Sequence, residues 1–146
     1  MASAAVLLGT RGGTRWSLAS GEALDLHPAA PWPAPNVARA PEPEEGPVLV
    51  QVTYRIDPAQ ANAFSRAAAN LGRLRRRDGA SRWLLFEDVA EPGRYVESFL
   101  VESWAEHLRQ HARATEADRQ VEERVLGYQT TDVPVEARHL VAREGD

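Results

Sequence analysis

The sequence has 146 residues and a formal net charge of −4, so wholesale phosphate binding, and with it a nucleic-acid partner, is not expected. It contains no cysteine, which excludes disulfides, thiol nucleophiles and thiolate-ligated zinc or iron–sulfur sites. With 43% apolar and 26% charged residues, the composition fits one soluble globular domain plus an extension.

The chain opens on MASAAVLLG, apolar for residues 1–9, with its first basic residue, Arg11, behind that run. A secretory signal carries its basic residues in front, so no cleaved signal is expected. No run reaches the roughly 18–20 apolar residues of a spanning helix. Residues 1–9 therefore read either as a loosely packed terminus or as the stump of a longer apolar helix. Residues 10–47 read as a linker, with prolines at 28, 31, 33, 35, 41, 43 and 47. Proline fixes φ and removes a backbone donor, so this stretch is expected to be extended and semi-rigid. Trp32 within it is read as an anchor lying across a groove of the folded domain, or as a contact for a partner or a membrane interface.

Residues 48–143 carry the alternations of a folded domain. Val48, Val50, Val52, Tyr54 and Ile56 form one apolar face of a strand, with Leu49, Gln51, Thr53 and Arg55 opposite. Asp57-Pro58 starts a helix, with Gln60 completing a capping box, and Phe64, Ala67, Ala68, Leu71 and Leu74 make its stripe. The arginines of RLRRR lie at its C-terminal end, where the helix dipole favours cations, and Gly79 is placed to end it. They read as a solvated helix end, with acidic lipid headgroups as the functional alternative. Residues 81–89 and 94–102 are two strands joined by the turn Glu91-Pro92-Gly93. Ser103 and Glu106 form a capping box, after which Trp104, His107, Leu108 and His111 share a helix face. Thr115 with Asp118 caps a second helical segment, residues 129–134 are a loop, and residues 135–142 are a final strand.

The order β-α-β-β-α-β is the ferredoxin-like pattern, an α+β fold whose four-stranded antiparallel sheet has its helices on one face. The strand phase is open: either Trp83, Leu85 and Glu87 or Leu84, Phe86 and Asp88 face away from the helices, and either Tyr95, Glu97, Phe99 and Val101 or Val96, Ser98 and Leu100 do. Each choice leaves large apolar groups uncovered, so a homodimer closing sheet on sheet is expected.

The polar groups best placed for chemistry are Glu97, Glu102, His107 and His111, with Trp83 and Trp104 beside them. His107 and His111 have the i, i+4 spacing of metal ligands, but HLRQH lacks the glutamate of the zinc protease motif. A third ligand from Glu97, Glu102 or His139 requires the fold to bring it close. No metal and no cofactor is therefore expected; hydrogen-bonded rings at a helix–sheet boundary, or general acid–base work, are the readings kept. Glu97 is expected to pair with an arginine such as Arg55 or Arg82, and Trp83 and Trp104 to pack in the core or an interface.

The runs GPVLVQVTYRIDPA and LRRRDGASRWLLFEDVAEPGRYVESFLVESWAEHLRQH, followed by T-x-A-D-R, resemble the soluble C-terminal domain of one branch of major facilitator superfamily transporters. That branch is enterobactin-exporter-like, also called transmembrane secretion effectors, and the resemblance covers roughly residues 46–128. It implies that GEALDLHPAAPWPAP follows a last membrane helix of which residues 1–9 are the end, and that the domain lies on the cytoplasmic side beside membrane-embedded transporter helices. The twelve membrane helices of such transporters are missing here, so the expectation is a truncated transporter, with a start placed inside a longer gene or a stand-alone cytoplasmic domain as the alternatives. The domain type is similar in fold to the antibiotic biosynthesis monooxygenases, dimeric α/β barrels, some of which oxidise polycyclic phenols without metal or cofactor. The function expected is a non-catalytic accessory domain, for dimerisation or regulation, of an exporter. The alternative is a cofactor-independent monooxygenase-like enzyme or aromatic-metabolite binder working through Trp83, Glu97, Trp104, His107 and His111.

Overall fold

A computed structural model describes residues 36–130 and 132–145. Residues 1–9, Trp32 and most of the proline-rich stretch lie outside the described residues. The elements run β1 (Val48–Arg55), a 3-10 turn (Pro58–Gln60), α1 (Ala61–Arg77), β2 (Ser81–Glu87), β3 (Arg94–Val101), α2 (Trp104–Arg113), α3 (Glu116–Leu126) and β4 (Glu136–Val141). The strands form one antiparallel sheet in the order β2-β3-β1-β4, the ferredoxin-like arrangement, with the helices on one face.

β1 alternates as its sequence demands. Val48, Val50, Val52 and Tyr54 are buried under the helices, together with Tyr95, Phe99 and Val101 of β3 and Phe64, Ala68 and Leu71 of α1. Phe64 is fully buried, its ring 5.3 Å from those of Tyr54 and Tyr95 and 6.0 Å from Tyr128. Burying such a side chain contributes about 1.5–3 kcal/mol, and each tilted aromatic pair adds about 0.5–1.5 kcal/mol. Phe99 therefore belongs to the helix side of the sheet.

The opposite face carries Leu49, Val96 and Leu100, partly buried, with Leu84, Phe86 and Leu140 53%, 51% and 45% exposed. No described element covers it. The phase of β2 is set by a bulge. Ser81 pairs with Leu100 and Leu84 with Ser98, so three steps on β2 oppose two on β3. Arg82 takes up the extra residue at φ 50°, and the parity change turns Trp83 under the helices. There its ring lies against Gly72 of α1.

Several boundaries differ from the sequence reading, each for a local reason. Asp57 accepts from the Ala59 N–H at 2.9 Å and caps the 3-10 turn, and Gln60 makes no cap bond to α1. β2 ends at Glu87 because Asp88 turns to accept from the Ala90 N–H. At α2, Ser103 accepts from the Glu106 N–H, but the Glu106 carboxylate binds Arg109 and Arg113 and leaves the box half made. The Thr115–Asp118 box of α3 is complete. Leu108 is exposed, so the buried face of α2 is Trp104 and His107. The end of the proline-rich stretch is part of the folded unit: the Glu45 and Pro43 carbonyls accept from the N–H groups of Trp104 and Ala105, two donors that a helix start leaves unsatisfied.

Candidate functional site

A buried polar seam runs between α1, α2, α3 and the sheet. Glu97 sits mid-strand on β3, opposite Val52, and is 1% exposed. Its Oε2 accepts from the Tyr54 hydroxyl at 2.9 Å, and its Oε1 from Trp83 Nε1 at 2.9 Å and Arg75 Nε at 3.2 Å. The expected partner, Arg55 or Arg82, is thus replaced by Arg75, which reaches down from α1. Arg55 points to the other face and pairs with Glu91, while Arg82 occupies the bulge. Arg75 also donates to Glu122 of α3 at 2.9 Å and lies over the Phe99 ring, 5.2 Å from its centroid.

Burial would pull the Arg75 pKa down, but Glu97 and Glu122 hold it above the ordinary guanidinium value. Burial also raises Glu122, against the pull of Arg75, and raises Tyr54 well above an ordinary phenol, with the Glu97 charge adding to it. Three donors occupy both Glu97 oxygens, so Glu97 is built as a clamp holding three strands to α1 rather than as a free base. The RLRRR arginines do more than solvate a helix end. Arg76 stacks over Trp83 at 5.2 Å, and Arg77 bridges Asp78 and Asp118 at 3.0 Å each.

At the other end of the seam, three imidazoles meet. His107 and His111 stand one turn apart on α2, their Nε2 atoms 3.0 Å apart, and their rings are 4.4 Å apart between centroids. His139 reaches from β4, its ring centroid 4.7 Å from that of His107. One ring nitrogen from each lies within 4.8 Å of the others. The condition the spacing set for a third ligand is met by His139; Glu97 and Glu102 are not part of the cluster. Trp104 closes one side, 5.3 Å from His107 and 6.0 Å from His139. His107 is 2% exposed, and its Nδ1 and that of His139 are buried without a hydrogen-bond partner. Burial, then the neighbouring His111 and His139 and Arg75, push the His107 pKa down to about 3. Burial and Arg75 push His111 down to about 4, and burial lowers His139. All three rings are neutral near pH 7.

A cavity of about 50 Å³ lies among the three histidines, Arg75, Asp78, Gln110, Asp118 and Glu122. It has room for about three waters or one ion. A second, open cavity of about 250 Å³ lies between residues 36–41, Trp104, His139 and Arg143. The five residues singled out from sequence thus fall into two groups joined by Arg75: Trp83 with Glu97, and Trp104 with His107 and His111. Arg75, Glu122 and Tyr54 were missed as site residues. A signal for Arg75 was present, since 64, 68, 71 and 75 continue one helical stripe.

The fold is similar to that of proteins assigned as antibiotic biosynthesis monooxygenases. One, from Caulobacter crescentus, is 18% identical, with a TM-score of 0.59 over 70% of this chain and 94% of that one. Another, from Deinococcus radiodurans, is 17% identical, with a TM-score of 0.55 over 68% and 95%. SnoaB, a cofactor-independent oxygenase from Streptomyces nogalater, solved as its N63A mutant, is 17% identical, with a TM-score of 0.54 over 67% and 94%. At these identities the likeness is one of fold. No curated protein matches the chain significantly. Among the described residues no helix is long and apolar enough to cross a membrane. The family model of transmembrane secretion effectors matches residues 1–145, and the chain belongs to that family.

Proposed function

We propose that the domain is a non-catalytic accessory module of an exporter-type membrane protein, on its cytoplasmic side, and that it joins two copies of the chain sheet to sheet. The observation that carries this reading is the uncovered sheet face. Leu84, Phe86 and Leu140 stand about half exposed there beside Leu49, Val96 and Leu100. Its charged groups already have partners within the chain, Arg55 with Glu91 and Arg138 with Glu136. What remains is a set of aliphatic and aromatic side chains around the neutral polar groups Gln51, Thr53 and Ser98. Such a patch is complementary to itself, as a two-fold interface needs. The resemblance to dimeric α/β barrels and the family membership support the same reading.

The alternative, a cofactor-independent oxygenase or aromatic-metabolite binder, draws on the kinship in fold with SnoaB. The histidine-lined cavity of about 50 Å³ and the open one of about 250 Å³ beside Trp104 and His139 both fall below the range of about 300–1,000 Å³ for small-molecule pockets, which speaks against it. Sedimentation velocity of the full chain tests the proposal. The wild type is expected to be a dimer, and Leu84→Asp/Phe86→Asp a monomer with unchanged far-ultraviolet dichroism. A monomeric wild type, or a double variant that stays dimeric, would overturn the reading.

A further inference from the structure

We propose that His107, His111 and His139 bind one divalent first-row transition-metal ion, of the Zn²⁺, Co²⁺ or Ni²⁺ kind. Three neutral imidazoles are the donor set such ions take, and the absence of carboxylate from the cluster disfavours Mg²⁺ and Ca²⁺. The spacing is close to what coordination needs. With zinc–nitrogen bonds of about 2.0–2.1 Å, tetrahedral ligand atoms lie about 3.3–3.4 Å apart. The Nε2 atoms of His107 and His111 are 3.0 Å apart, and a nitrogen of each of the three rings lies within 4.8 Å of the others.

Two further observations point the same way. The Nδ1 atoms of His107 and His139 are buried with no hydrogen-bond partner, and buried polar atoms are nearly always satisfied. The His107–His111 contact uses only one nitrogen of each ring and leaves His139 without a share in it. A cation takes one nitrogen of each ring, so with His107 and His111 coordinating through Nε2 it offers a partner to the unmet Nδ1 of His139 and not to that of His107. The charges around the cavity are mixed: Arg75 opposes a cation there and three wall carboxylates attract it. The cavity wall sets Asp78, Asp118 and Glu122 against Arg75, and Arg75 is itself held by Glu97 and Glu122. All three rings line this cavity, so a coordination position facing it has room for water.

The test uses the full chain, free of any affinity tag and stripped with chelator. Titration calorimetry with Zn²⁺ is expected to show one ion per chain. Co²⁺ is expected to give visible ligand-field absorption that Zn²⁺ abolishes and Mg²⁺ does not. His139→Ala and His111→Asn should each weaken Zn²⁺ binding at least about a hundredfold, since loss of even an outer-shell partner weakens metal sites about 10–100-fold. His27→Ala, at the one histidine outside the cluster, should leave it unchanged. If His139→Ala fails to fold, His111→Asn, at a half-buried ring, carries the comparison. A wild type with no saturable site, or binding that survives His111→Asn or disappears with His27→Ala, overturns the proposal. A purely structural stack of rings would give no cobalt spectrum.

Discussion

Glu97 holds Tyr54, Trp83 and Arg75 at once, and removing it strands a guanidinium with 17% side-chain exposure. Breaking a buried ion pair from one side costs about 3–5 kcal/mol. Glu122 remains on Arg75 and eases the loss, so Glu97→Leu is expected at the lower end, measured by urea unfolding. The histidines give a pH signature. In the folded chain His107 and His111 titrate at about 3 and about 4, against 6.5 for the free side chain. Between those values the unfolded chain binds more protons, so stability is complete above pH 6.5 and falls as the pH drops toward 4. The slope is up to about 1.4 kcal/mol per pH unit for each histidine. Thermal melts in chelator from pH 7.5 to 4.5 should show this decline, and His107→Leu should flatten it. The sequence displayed Glu97 as a carboxylate in an apolar strand and so pointed to a pairing with an arginine. It did not name the partner, because the cross-strand neighbours of a strand residue are legible and the helix residue above it is not. The i, i+4 histidines were visible for the same kind of local reason, whereas His139 lies 28 residues beyond His111 and joins only through sheet pairing.

Between elements, α1 approaches β2 closely. A Cβ at Gly72 would lie 2.6 Å from the Trp83 ring, which is hemmed in by Arg76 and bonded to Glu97. Glycine to alanine inside a helix ordinarily stabilises by about 1 kcal/mol. Here Gly72→Ala is expected to destabilise by about 1–3 kcal/mol, the range for overpacking, and urea titration gives the sign directly. The α3 start offers a milder test: Thr115→Ala removes one half of a complete capping box and should lower stability by about 1 kcal/mol in the same assay. Element order was plain from periodicity and caps because those are local signals. The phase of β2 was not, since Leu84 and Phe86 are as apolar as Trp83 and Leu85. A regular strand with Ser81 on the open face would put Trp83 there too. The bulge at Arg82 reverses it, and a residue at positive φ without glycine leaves no mark in the pattern.

At the scale of the whole molecule, the sheet has one face under helices and one bearing Leu84, Phe86 and Leu140. If two copies close over that face, folding and association are linked. The melting temperature of the wild type should then rise with protein concentration, while that of Leu84→Asp/Phe86→Asp should not. The strand order carries one more consequence. β1, first in the chain, is paired on one side by β3 and on the other by β4, with Val48 opposite Val141 and Thr53 opposite Glu136. The contact joining the beginning of the domain to its end spans nearly its entire length, and such distant pairings form late. β4 is also the strand that delivers His139. The three-ring cluster therefore cannot exist on a nascent or half-folded chain: it is completed only when the last strand docks, and its presence marks a domain that has finished folding.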